Sequence, residues 1–213
     1  MKEQKKEQVF SADLGSYRES AGSGRSVCGC GCNAPQSDQA SNEEKEIQAS
    51  EKVLNVDLLV IDLDTCKRCV PTGDQLKAAV QLLKPVSDAL GISLHHKEIV
   101  VQTEAEAKKY ALLSSPTIRL NGRDIAEDIC ESACESCGDL TSNTTVNCRE
   151  WYYRGQVFSC TPLPMLLEAI MDAMLKIDKM QPVAPTPLEE LPKNLQRYFN
   201  DKKAGKIESS CCK

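Results

Sequence analysis

The chain is expected to fold as an α/β sandwich, a sheet flanked by helices, and three observations predict this. An apolar run rich in β-branched residues, Val56 to Leu63, reads as a buried strand and is followed at once by a helical pattern. Asn121-Gly122 and Arg154-Gly155 each sit between short strand-like runs and mark hairpin turns. Elsewhere apolar residues recur at three- and four-residue intervals. The resulting order is β-α-β-α-β-β-α. The dithiol Cys66-Lys67-Arg68-Cys69 stands where the first strand hands over to the first helix.

After Cys69, residues Leu76, Ala79, Val80, Leu83, Val86 and Leu90 predict an amphipathic helix that Gly91 stops and Pro85 kinks. Ile92 to Val101 reads as a second strand. Thr103 to Leu113 reads as a second helix, with Thr103 as cap and Glu106 completing a capping box. Ser114-Ser115-Pro116-Thr117 leads into the strand Ile118 to Leu120, and Arg123 to Ala126 is the returning strand. A polar, Cys-bearing insertion spans residues 127–148. Trp151 to Tyr153 and Gln156 to Phe158 form the second hairpin, and a long helix begins near Pro164, marked by Leu163, Leu167, Ile170, Met174 and Ile177. Beyond Met180, Pro182, Pro185 and Pro187 make a stiff spacer. Thr186-Pro187-Leu188-Glu189 has the signature of a helix start, and a short helix carrying Leu195 and Phe199 is expected to dock on the core.

This organisation gives a polar N-terminal tail over residues 1–52, expected to be disordered apart from a short helix around Asn42 to Ala49. The core domain covers 53–180, and a Pro-rich linker, helix and tail cover 181–213. The 213 residues include 12 cysteines, with a formal net charge of -5 and an apolar fraction of 41%. That suits one modest core with tails. The charged start Met1 to Glu7 is followed by no apolar stretch, so no secretory signal is expected, and no run has the length of a membrane span. Reduced cysteines in a cytoplasm are therefore expected, and clustered thiols there point to metal or redox chemistry rather than disulfide staples. The acidic balance and few aromatics argue against a nucleic-acid partner.

Four thiol groups carry the chemistry. For Cys66 and Cys69, the first turn of the helix and the cations Lys67 and Arg68 favour thiolates, which act as nucleophiles or as soft-metal ligands. In a redox reading Cys66 is the exposed attacking thiol and Cys69 resolves the mixed disulfide; in a metal reading the pair clamps a soft ion. The alternative of two packing cysteines is less consistent with a helix start flanked by cations. Cys130, Cys134 and Cys137 would share one side if Asp128 to Cys137 were helical. The pair Cys134 and Cys137 could instead join Cys148, with Cys160, in a four-thiolate zinc site that closes the insertion. Structural zinc and capture of a metal or metalloid are left open there. Glycines between Cys28, Cys30 and Cys32 allow those three sulfurs to surround a thiophilic ion. The vicinal Cys211-Cys212 cannot easily close an unstrained disulfide and suits relay of a soft ion. His95 and His96, on opposite faces of a strand, read as ordinary sheet residues, and Trp151, Tyr152 and Tyr153 as packing.

The dithiol after strand one, Ser115-Pro116-Thr117 before strand three and the Asn121-Gly122 hairpin together resemble the thioredoxin superfamily, and residues 116–125 look most like its glutaredoxin branch. The resemblance covers roughly residues 53–178. It implies a central mixed sheet flanked by helices and a cis Pro116 packed beside the dithiol, with Cys66, Cys69 and Pro116 as catalytic residues. A narrower likeness is to an uncharacterised bacterial thioredoxin-like domain of unknown function, which implies a link to arsenic or mercury handling. The central Lys67-Arg68 departs from the Gly-Pro of thioredoxins. Ala126-Glu127-Asp128 replaces the motif with which glutaredoxins hold glutathione, so glutathione binding is not expected.

The functional expectation is a dithiol protein that binds or relays soft metal(loid)s such as As(III) or Hg(II), with zinc as the other candidate ion. Its partners would be the ions themselves, thiol-containing proteins, or a metal(loid) efflux or reductase system. The enzyme alternative is a thiol–disulfide oxidoreductase with a structural zinc in the insertion. A module holding only zinc is a third reading.

Overall fold

Strand β1, Lys52–Val60, is the axis of the domain. The computed structural model describes residues 52–64, 66–126, 128–134 and 146–204. Alternation along β1 buries Leu54, Val56, Leu58 and Val60 completely, and each such side chain contributes about 1.5–3 kcal/mol of burial. Helix α1, Cys69–Ala89, crosses back so that β2, Ile92–Val100, pairs parallel to β1 in register from Lys52–Ile92 to Val60–Val100. Its buried stripe is Thr72, Gly73, Leu76, Ala79, Leu83 and Ser87, while Val86 and Leu90 stay half-exposed. Pro85 lies inside the helix, which ends at Leu90 before Gly91 turns at φ +65°.

Helix α2, Glu104–Lys109, is shorter than the expected span to Leu113. The capping box forms: Thr103 Oγ1 accepts from Glu106 N–H, and Glu106 Oε2 accepts from Thr103 N–H. Ala111 adopts φ +49°, which stops the helix, and the Arg119 guanidinium donates to the carbonyls of Tyr110 and Ala111 at 2.6 and 2.8 Å. Strands β3, Thr117–Leu120, and β4, Arg123–Asp124, form the Asn121-Gly122 hairpin, both turn residues having positive φ. The sheet order is β2-β1-β3-β4, with β3 antiparallel to β1 and β4 to β3. This is a mixed α/β sheet flanked by helices.

A second sheet, β5-β6-β7, follows, formed by Cys130–Ala133, Asn147–Tyr153 and Gln156–Phe158. The helical alternative considered for Asp128 to Cys137 does not hold over its described part: Cys130–Ala133 is a strand paired with Asn147–Glu150. Three- and four-residue Cys spacing mimics a helical period, but pairing with a neighbouring strand decides the conformation. Helix α3, Leu163–Leu175, buries Leu166, Ile170, Ala173 and Met174 and packs against α1. Helix α4 runs over Lys193–Lys203 and buries Leu195, Tyr198 and Phe199. It does not start at Pro187, because the segment before it is held extended over the domain, with Leu188 N–H donating to the Lys108 carbonyl. The tail expected over residues 1–52, including its short helix, lies outside the described residues except for Lys52.

The extended segment also crosses the first hairpin, where Val183 N–H donates to the Asn121 carbonyl at 2.9 Å. Gly122 sits beneath it at φ +82°, and an added Cβ would overlap the Val183 carbonyl oxygen. Gly122→Ala is expected to cost at least about 2 kcal/mol, from the left-handed backbone plus overpacking. A urea unfolding midpoint indistinguishable from wild type would contradict this.

Candidate metal centre

The end of β1 and the start of α1 build the first wall of the site. Ile61 N–H donates to Ser115 Oγ at 3.1 Å, which pins the turn after β1 to the loop before β3. Cys66 precedes α1, and its carbonyl accepts from Val70 N–H. Its Sγ accepts from Cys69 N–H at 3.3 Å, so an N–H of the first helical turn points at sulfur, the geometry that suits negative charge there. Cys69 Sγ lies 3.5 Å from Ser115 Oγ. The Ser115–Pro116 bond is cis, as the resemblance implies.

Cys66 and Cys69 are both fully buried. The expectation of an exposed attacking Cys66 is therefore overturned. The reason lies in the insertion, whose strands are laid across the dithiol. In β5 and β6, Ser132 pairs with Cys148, and Cys134 N–H continues the ladder to the Val146 carbonyl. Paired positions share a face and alternate residues return to it, so Ser132, Cys134 and Cys148 look the same way. The result is a cluster of three buried thiols: the sulfurs of Cys66, Cys134 and Cys148 all lie within 4.8 Å of one another.

Four side chains hold this arrangement. Arg68 Nη1 donates to the Cys148 carbonyl at 3.1 Å, and Nη2 donates to Ser132 Oγ and to the Ala133 carbonyl, both at 2.8 Å. Glu150 accepts from Ser132 Oγ and stands 3.9 Å from Nη1. Arg149, next to Cys148, has no exposed surface: it pairs with Asp124 at 2.7 Å, donates to Thr117 and to the Ala126 and Asp128 carbonyls, and lies over the Trp151 ring. Its own N–H donates to the Ser115 carbonyl, joining β6 to the loop beside Cys69. From α4, the Asn194 amide grips Asn147 on both sides, accepting from its N–H at 2.9 Å and donating to its carbonyl at 2.7 Å.

Among the described residues, the other cysteines do not join the cluster. Cys69 turns to Ser115, Cys130 is exposed at the far end of β5, and Cys160 is half-buried after β7. The expected four-thiolate site therefore loses Cys160 and gains Cys66. Cys28, Cys30, Cys32, Cys137, Cys211 and Cys212 lie outside the described residues. His95 is exposed and His96 half-buried, and neither takes part.

The family match fits this geometry. Residues 54–170, more than half of the chain, match the model of a domain of unknown function (DUF2703). The chain belongs to the DUF2703 family. No curated protein and no solved structure matches it. The DUF2703 span takes in the dithiol, Pro116, all three clustered cysteines, Arg68 and Arg149, and it ends within α3, before Asn194. No helix among the described residues is long and apolar enough to cross a membrane.

The donor set decides what the cluster can bind. Three thiolates without carboxylate or imidazole favour soft ions over Mg²⁺ or Ca²⁺. Sulfurs at ~2.3 Å from one tetrahedral ion stand about 3.8 Å apart, and the three sulfurs here, all within 4.8 Å of one another, are close enough to share one ion. Sequence reasoning missed Ser115, Arg149 and the bridging role of Arg68. The period-two placement of Ser132 and Cys134 was the available signal for β5, hidden by the helix-like Cys spacing, and only the pairing of β5 with β6 brings Cys148 beside them.

Proposed function

We propose that this DUF2703 protein binds a soft metal or metalloid, of the class of As(III) or Hg(II), through Cys66, Cys134 and Cys148. The convergence of these three buried sulfurs carries the reading. With As(OH)₃, three As–S bonds replace three As–O bonds and the thiol protons leave in water, giving an uncharged product that suits burial. The tails would collect the ion at Cys28, Cys30 and Cys32 or at Cys211 and Cys212 and pass it inward by thiolate exchange, so that no step releases a bare ion. A thioredoxin-like ancestry is part of this reading. Its support is the sheet order β2-β1-β3-β4, with the dithiol after β1 and Pro116 before β3. The setting is a reducing cytoplasm, and an efflux pump or reductase is the natural recipient.

A second reading is thiol–disulfide exchange at Cys66 and Cys69 beside a structural zinc. It draws on the N–H directed at Cys66 Sγ, and the burial of both thiols weighs against it. Calorimetric titration of the anaerobically purified full chain with As(III) and with Hg(II) tests the first reading. The wild type is expected to bind more ions than a Cys28/Cys30/Cys32→Ser variant, and equal stoichiometry refutes capture by the tail. Tightly held zinc that neither ion displaces, together with disulfide turnover lost in Cys66→Ser, would establish the second reading instead.

A further inference from the structure

The structure assigns Arg68 the role of positioning residue for the three-sulfur site, an inference that rests on the metal-binding reading above. Arg68 lies between Cys66 and Cys69, so its backbone belongs to the segment that carries one ligand. Its guanidinium reaches the other two. One arm of the fork takes the carbonyl of Cys148 itself. The second takes the Ala133 carbonyl, in the peptide unit that leads into Cys134, and also the Ser132 hydroxyl. A single planar group thus ties the segment that carries Cys66 to the paired strands β5 and β6 that carry the other two ligands. Glu150 completes the assembly by accepting from Ser132 and standing near the same guanidinium.

The side chain is only 13% exposed, and its bonds to Cys148 and Ser132 are part-buried, whereas the one to the Ala133 carbonyl lies at the surface. Arginine suits this place for a geometric reason. Its N–H groups diverge in a rigid plane and satisfy acceptors on two strands at once, whereas a lysine ammonium is a point charge on a flexible stem. The sequence offers Lys67 at the neighbouring position, yet it is Arg68 that spans to β5 and β6. The cation in the motif therefore acts through the backbone of the ligands, fixing where Cys134 and Cys148 stand relative to Cys66. Partners that orient metal ligands in this way are worth roughly 10–100-fold in affinity.

The test uses as parent the chain with Cys28, Cys30, Cys32, Cys211 and Cys212 replaced by Ser, so that the tails add no signal, and Cd(II) as probe, because thiolate-to-Cd(II) absorption counts bound sulfurs. Arg68→Gln is expected to weaken Cd(II) binding about 10–100-fold in chelator competition and to reduce the absorption toward a two-thiolate value. Arg68→Lys is expected to fall between Gln and this parent. A merely structural role would lower the unfolding temperature but leave the affinity and absorption of the folded fraction unchanged, and that result overturns the inference. Should Arg68→Gln not fold, Arg68→Lys decides by the same two readouts. A parent without thiolate absorption, or one whose absorption survives Cys148→Ser, refutes the three-sulfur site itself and this inference with it. If Cys148→Ser loses the absorption and both Arg68 variants keep it, only the role of Arg68 falls.

Discussion

Cys148→Ser is expected to lower affinity for a soft ion by more than the roughly 100-fold that loss of an outer partner costs, since here a ligand atom is removed. The substitution leaves two thiolates and a hard hydroxyl oxygen that competes poorly for such ions. Cys148 is fully buried, and a hydroxyl placed there without a partner costs about 1–3 kcal/mol, so part of the effect could come from folding. Cys148→Ala separates the two causes. It removes the sulfur without adding a polar atom, and it should lose affinity to the same extent. Cys130→Ser is the control, because that thiol is exposed and lies outside the cluster. Chelator competition and protection of thiols from alkylation both read the result. Wild-type affinity in Cys148→Ala would remove this residue from the site.

The second large effect concerns stability. Arg149 is fully buried and its charge is met by Asp124, which is itself partly exposed. Asp124→Ala leaves an uncompensated guanidinium in the interior and is expected to destabilise by about 3–5 kcal/mol. The lower end is expected, because Thr117 and the carbonyls of Ala126 and Asp128 still accept from it. Replacing both members with apolar residues, Asp124→Leu with Arg149→Met, should recover much of that loss, since the desolvation penalty disappears together with the pair. Urea denaturation measures both. A cost below about 1 kcal/mol for the single variant would mean that the ion pair adds little to the buried network.

Local signals carried much of the fold. The strand-to-helix dithiol, the Asn121-Gly122 and Arg154-Gly155 turns with positive φ, and the Thr103–Glu106 capping box all depend on residues close in the chain, and each forms where it was read. What was not legible depends on partners far away. Cys130 to Ala133 has helix-like thiol spacing but is a strand because β6 lies beside it. Thr186-Pro187 looks like a helix start, but the Lys108 carbonyl takes up Leu188 N–H and the helix waits until Lys193. The site was half legible. Cys66 was identified from its helix start and Cys134 and Cys148 from their clustering, yet nothing local joins the two groups. The register of β6 and the reach of Arg68 do so, and these also bury thiols that the motif alone suggested would face solvent.

Because the sulfurs come from positions 66, 134 and 148, no short peptide cut from this chain can reproduce their spacing. An ion gripped by all three sulfurs together would favour the native state over the unfolded chain, in which only local cysteine pairs and triplets remain to bind it. At a free concentration a hundred times its dissociation constant, such an ion would add at most about 2.7 kcal/mol to the folding free energy, less whatever it gains from cysteines of the unfolded chain. Resistance to proteolysis would then rise and fall with supply of the ion, making the lifetime of the polypeptide a gauge of what it carries.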